Sequence, residues 1–410
     1  MTDFTLPRPV QLQNLSSGFI GTLGCWIAGA GLTAAAIVFS VSGGLTTRLI
    51  GLAALFAGAL ICGVARTAPA QWKLRFTAVF VTLCMTLVLA EIVLRLVTRY
   101  PVSTENSVVP HSALGFVLNP EQTDVDTNGF RNVETATQAE IVAIGDSHTQ
   151  GMNVAAAEAW PQLLGQQLKR SVYNMGIGEY GPLHYDVLIS EALKLQPKHI
   201  VVGLSLGNDL GDIGRGIQQR HSEREIDNAF RHNLKFRTAT GNAIHHLVKR
   251  SRIGRPAGFE IPHANSPTFV SDQRVRFLSA DMDASDPRIA AALQQTIQIL
   301  TSARQRCDAA GTKLIVLLIP TRESAYSHSP HSAVESWPNA LKQMVQRETD
   351  VRVRLQAALQ EQQIECVDLL PLLTAAVDSD TRVYAAHDEG HPIASGYQLY
   401  ASAVAGAIRQ

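Results

Sequence analysis

The chain has 410 residues, no formal net charge and only 17% charged residues, so it carries no nucleic-acid footprint and has room for one large domain plus an accessory region. Its 46% hydrophobic content is concentrated in the first hundred residues. The five cysteines form no CxxC pair, which leaves a structural zinc site or a thioredoxin-like motif unsupported.

Taken in order, residues 18–41 are uncharged and match the roughly 20 residues that a helix needs to cross a bilayer core. Residues 49–65 form a second, shorter apolar run and 76–94 a third, so residues 1–99 read as a membrane anchor of three transmembrane helices. The first run is too long for a cleaved signal peptide and is followed directly by more of the same. The second linker carries Arg66, Lys73 and Arg75 against Arg48 alone in the first. The positive-inside rule therefore puts the N-terminus in the cytoplasm and everything after the third span outside it, as in a multi-pass inner-membrane protein with an extracytoplasmic C-terminal domain. Cys25, Cys62 and Cys84 lie in the anchor, and for Cys307 and Cys366, on a predicted helix and a predicted strand, no disulfide is expected, since bridging needs a particular geometry that sequence does not show.

Residues 100–139 are polar and punctuated by Pro101, Pro110, Pro120 and Asn128-Gly129, the signals of a linker. From 140 to 410 apolar runs at 141–144, 172–174, 199–206, 313–319 and 364–367 alternate with helical stretches. Five strands separated by helices predict an α/β domain with a doubly wound parallel sheet. The rhythm stops at about 212–286, a long insertion whose histidines, His221, His232, His245, His246 and His263, lack a metal-ligand spacing.

Four short stretches carry chemistry. Gly145-Asp146-Ser147-His148 ends the first strand and presents Ser147 as a nucleophile at the carboxyl edge of the sheet, with a helix N-cap as the plain alternative. The glycines of Asn174-Met175-Gly176-Ile177-Gly178-Glu179-Tyr180-Gly181 free backbone amides to point into a site. Asn208, in Gly207-Asn208-Asp209, offers an amide NH2 to a developing oxyanion, or simply makes a turn. Asp388-Glu389-Gly390-His391 places a carboxylate and an imidazole on one segment, as an oriented general base requires.

In this order the four stretches resemble the SGNH hydrolase superfamily, the GDSL-like esterases and acyltransferases, over about residues 141–409. The resemblance implies a flavodoxin-like SGNH fold and a triad of Ser147, His391 as base and Asp388 as its orienting carboxylate. It also implies an oxyanion hole of the Ser147 amide, a glycine-block amide assigned to Gly178, and the Asn208 side chain. Two departures stand out: His148 replaces a Leu or Phe, and a gapless reading from Asn174 puts Glu179 where the family has glycine. Arg322 is a candidate contact for an acidic substrate, Asp209 and Asp212 a weak metal pair, and His387 and Asp368 neighbours or structural groups.

The implied chemistry is two-step acyl transfer without cofactor or metal. Membrane spans fused to such a domain look like envelope proteins that handle O-acetyl groups on polysaccharides, so the first expectation is O-acetylation of an envelope or exported polysaccharide through an acyl-serine. An esterase acting on acetylated glycans or lipids is the close alternative, and a non-catalytic glycan-binding or assembly protein is a second class. The expected partners are an ester or glycan substrate, the lipid bilayer and an acyl-donor protein in the membrane.

Overall fold

The computed structural model describes residues 69–97, 108–214, 257–262, 268–379, 381–385 and 390–409, together with Thr22 and Thr67. The chain divides into two units, 1–104 with 227–254 and 105–226 with 255–410. In the first, helix α1 (Ala70–Val97) runs through the third apolar segment and exposes Val79, Met85, Leu89 and Ile92. Among the described residues no helix is long and apolar enough to cross a membrane, so they give no support to three transmembrane helices. The segments 18–41 and 49–65 lie outside the described residues, Thr22 excepted.

The second unit opens with a hairpin of β1 (Val108–His111) and β2 (Gly115–Leu118). Then come β3 (Ile141–Gly145), the one-turn helix α2 (Ser147–Gln150), α3 (Trp160–Leu168), β4 (Val172–Asn174) and α4 (Pro182–Leu193). Strand β5 (His199–Ser205) leads into the short α5 (Asp209–Gly214), and a second hairpin of β6 (Gly258–Ile261) and β7 (Thr268–Ser271) precedes α6 (Asp272–Asp281) and α7 (Pro287–Ala309). The order ends with β8 (Lys313–Ile319), α8 (Arg322–Ser327), α9 (Asn339–Glu361), β9 (Glu365–Asp368), α10 (Leu370–Asp378) and α11 (Ala394–Arg409).

The central sheet is five-stranded and parallel, in the order β4-β3-β5-β8-β9. Counted within the sheet this is 2-1-3-4-5, the flavodoxin-like winding. Helix α4 packs against α7, and α3 against α11. Covered on both faces, the central strands need no polar side: β3 is buried throughout, and β5 and β8 beyond their first residues. That is why they read as unbroken apolar runs. Strand order reverses between β3 and β5, and in such sheets the crevice at the strands' carboxyl ends is the ligand-binding edge.

Two boundaries differ from the sequence reading. Residues 108–139 are folded rather than a linker, and Leu114, Phe116, Val117, Leu118, Val125 and Phe130 join the core. Asn132 pins this segment to the sheet: its Oδ1 accepts the Asn174 amide and its Nδ2 donates to the Asn174 carbonyl, both at 2.9 Å. Pro110 lies within β1, paired with Phe116, and Pro120 stands in a turn, while Pro101 lies outside the described residues. The insertion at 212–286 also contains regular structure, since α5 extends to Gly214 and the β6–β7 hairpin and α6 fill its last third. The five histidines named above lie outside the described residues.

Behind the carboxyl end of β8, the buried Glu348 of α9 accepts hydrogen bonds from the Thr321 amide at 2.8 Å, from the Thr321 hydroxyl, and from Ser324 Oγ at 2.6 Å. Burial pushes this carboxyl up to about 7 against those bonds. A carboxyl whose folded value exceeds the unfolded one stabilises fully below the unfolded value, and that contribution is lost as pH rises through the folded value. Thermal stability attributable to Glu348 is therefore expected to fall between pH 4.5 and 7 by about 3 kcal/mol. Glu348→Gln should flatten that part of the Tm–pH curve; an unchanged slope would refute the assignment.

Candidate active site

The site is built at the carboxyl ends of β3, β4 and β5. At the end of β3 the chain turns sharply into α2, and Asp146, not Ser147, is the N-cap: its Oδ1 accepts the His148 amide at 2.9 Å. The plain alternative for Ser147 is thereby filled by its neighbour, which leaves the serine hydroxyl to meet His391. Gly145 makes the turn possible, because a Cβ there would lie 2.2 Å from Thr149 Oγ1. Arg131, from the folded arm, secures the far end of the turn by donating to the Gly151 carbonyl at 2.6 Å and the Val154 carbonyl at 2.9 Å.

Ser147 Oγ lies 2.8 Å from His391 Nε2, a hydrogen bond that joins β3 to the segment before α11. Asp388 falls within 386–389, outside the described residues, as does His387. His148 packs its ring 4.9 Å from that of His391 and stacks at 6.3 Å on Tyr400. Burial, aided by the positive charge of Arg274, drives the His148 imidazole down to about 3. A neutral ring in that place fills the wall behind His391 without opposing an imidazolium there.

The oxyanion candidates are arranged unequally. The Ser147 amide is at the first turn of α2, where helix amides lack an intrahelical partner. Asn208 Nδ2 lies 3.4 Å from both Asp146 Oδ2 and Asp212 Oδ2, long contacts that orient the carboxamide beside the nucleophile turn. The Gly178 amide is engaged: it donates to Gln150 Oε1 at 2.7 Å. Glu179 has φ of 70°, the left-handed region that glycine tolerates, and holding a glutamate there costs on the order of 1 kcal/mol.

The remaining candidates are structural. Asp209 accepts from Tyr185 Oη and the Ser205 amide, both at 3.0 Å. Burial, with Asp146 and Asp212 nearby, pushes its carboxyl well above the usual range. Among the described residues no acidic, histidine or cysteine group is arranged to hold a metal. Arg322 is fully buried and donates to the Phe269 carbonyl at 2.9 Å and to Glu323, which removes it as a substrate contact. Asp368 accepts from Arg352, Gln356 and the Leu370 amide. Cys307 and Cys366 are free thiols.

One neighbour of the site has no sequence signal. Arg274 of α6 makes a two-point contact with Glu323, at 2.8 and 3.2 Å. It lies against Gly390, where a Cβ would be 2.3 Å from its Nη2. Only proximity in the fold connects α6 to the residue before His391.

No curated protein matches the chain. Among solved structures it is similar to a member of the lipolytic G-D-S-L family from Veillonella parvula, with 14% identity over 66% of this chain and 98% of that one and a TM-score of 0.36. It is also similar to a catalytic mutant of an acetylxylan esterase from Geobacillus stearothermophilus, with 11% identity, 67% and 95% coverage, and a TM-score of 0.37. A GDSL-like lipase from Bacteroides thetaiotaomicron shows 11% identity, 66% and 87% coverage, and a TM-score of 0.32. The family model for GDSL-like lipases and acylhydrolases matches residues 143–399, more than half of the chain and a span that contains both Ser147 and His391, and the chain belongs to this family.

Proposed function

We propose that the chain catalyses serine-dependent acyl transfer, with an O-acetyl group on an envelope or exported polysaccharide as the cargo. The observation that carries this reading is the 2.8 Å contact between Ser147 Oγ and His391 Nε2. His391 takes the Ser147 proton as Oγ bonds to the ester carbonyl carbon, and the carbonyl electron pair moves onto oxygen beside the Ser147 amide and Asn208. Collapse expels the alcohol, which leaves with the proton from His391, and the acyl group stays on Ser147. An acceptor hydroxyl then gives its proton to His391, attacks the acyl carbon and regenerates the serine. Asp388 is assigned the orientation of His391, on its spacing alone.

The membrane-anchored, extracytoplasmic placement belongs to the same proposal. It is supported by the uncharged stretch 18–41, by the basic residues between 66 and 75, and by the apolar side chains exposed along α1. A chain held at the bilayer meets a glycan during export, and a membrane acyl-donor protein is the matching partner. Hydrolysis by the same site is the second reading, favoured by the acylhydrolase family to which the chain belongs.

The test is acetate release by the full-length chain from p-nitrophenyl acetate, with and without acceptor oligosaccharides. Serine-dependent release that is diverted into acetylated oligosaccharide supports transfer. Release that acceptors leave unchanged identifies an esterase, and glycan binding without any release sinks the catalytic reading.

A further inference from the structure

The Gly178 amide, assigned above to the oxyanion hole, is occupied by a side chain of the nucleophile's own helix. Gln150 is three residues after Ser147, so the two side chains share one face of α2. Its Oε1 accepts the Gly178 amide at 2.7 Å. Because an amide N–H can face only an acceptor, this bond also fixes the flip of the carboxamide, leaving the NH2 as its other end. A Cβ on Gly178 would be 3.3 Å from Gln150 Oε1 and 3.6 Å from Ser147 Cβ, so the carboxamide and the nucleophile flank the same glycine. The Gln150 backbone is held as well, its amide bonding the Asp146 carbonyl at 2.9 Å and its carbonyl receiving Arg131 at 3.4 Å. Among the described residues, no acceptor meets the Gln150 NH2.

We propose that Gln150 is a further catalytic residue: the Gly178 amide holds its Oε1, and its carboxamide NH2 donates to the oxyanion in place of the Gly178 amide. This rests on the acyl-serine reading above. A carboxamide polarised by an incoming N–H at one end is a stronger donor at the other, since hydrogen bonds in a chain reinforce one another. The oxyanion set is then the Ser147 amide, Asn208 Nδ2 and Gln150 Nε2. Gly178 supports it by having no side chain and by supplying the anchoring amide. The opposite arrangement, in which Gln150 only shields the Gly178 amide and swings away for catalysis, predicts the opposite sign for its removal.

The experiment compares full-length wild type, Gln150→Ala and Gln150→Glu in ester hydrolysis and in the rate at which a fluorophosphonate labels Ser147. In labelling, Oγ bonds to phosphorus, the P–F bond breaks, fluoride leaves, the serine proton passes to His391, and the phosphonyl oxygen occupies the oxyanion position. Loss of one donor should lower kcat about 10²-fold in both variants with KM within about threefold, and slow labelling in parallel. Gln150→Glu keeps an acceptor for the Gly178 amide but adds a carboxylate beside the oxyanion, so its loss counts for the proposal only together with an equal loss in the uncharged Gln150→Ala. Near-normal kcat in Gln150→Glu, or normal or raised kcat in Gln150→Ala, overturns the proposal while leaving the serine mechanism intact. A wild type that neither hydrolyses nor labels overturns both.

Discussion

Ser147→Ala is expected to lower kcat for ester cleavage by about 10⁵-fold, to near the background left by oxyanion stabilisation and binding alone. The size of the loss follows from the geometry. With Oγ gone, His391 Nε2 loses the group it meets at 2.8 Å. His391→Ala should cost about as much, and the double variant little more, because nucleophile and base act as one unit. Thermal stability should stay within a few degrees of wild type in Ser147→Ala, since the backbone of α2 is held by the Asp146 cap and by Arg131 rather than by the serine side chain. Retained turnover would remove Ser147 from the mechanism. A large fall in Tm would instead make the serine a structural residue of the turn.

How much of this was legible before the structure depends on the range over which each signal acts. The strands at 141–144, 199–206 and 313–319 announce themselves because sandwiching between helices demands apolar side chains on both faces, and that demand is local. Ser147 and His391 were legible as members of short motifs, although only the fold brings them to 2.8 Å. The β1–β2 hairpin and Asn132 were not, since their burial is supplied by partners such as Tyr180 and Asn174, which no local pattern connects to residues 108–132. The assignment of Gly178 failed to anticipate Gln150 for a related reason: whether an amide is free depends on the rotamer of a side chain from another strand's end. Arg322 illustrates the converse, a residue placed correctly at the catalytic edge of β8 whose charge is spent inside the protein.

Glu323→Ala is expected to be the most destabilising single substitution near the site. Glu323 and Arg322 are fully buried, and the carboxylate serves two guanidiniums, meeting Arg274 at 2.8 Å and Arg322 at 3.1 Å. Burial alone would raise its carboxyl, yet Arg274 and then Arg322 hold it down at about 2. Removing it strands the Arg322 charge in a low-dielectric interior, a change that typically costs about 3–5 kcal/mol. For a domain of this size that is a Tm drop on the order of 10 °C. Glu323→Gln should fall between, keeping the shape and some hydrogen bonding but not the charge. Because the folded value lies below the unfolded one, the wild-type contribution is present above about pH 4.5 and is lost as pH falls through about 2. The variants should therefore converge on wild type in acid, a sign opposite to that at Glu348. Activity should fall further than stability explains, since Arg274, freed from its two-point anchor, packs against Gly390 beside His391. Measuring kcat below the variant's Tm separates the two effects: normal turnover in a folded Glu323→Gln protein would confine Arg274 to a role in stability.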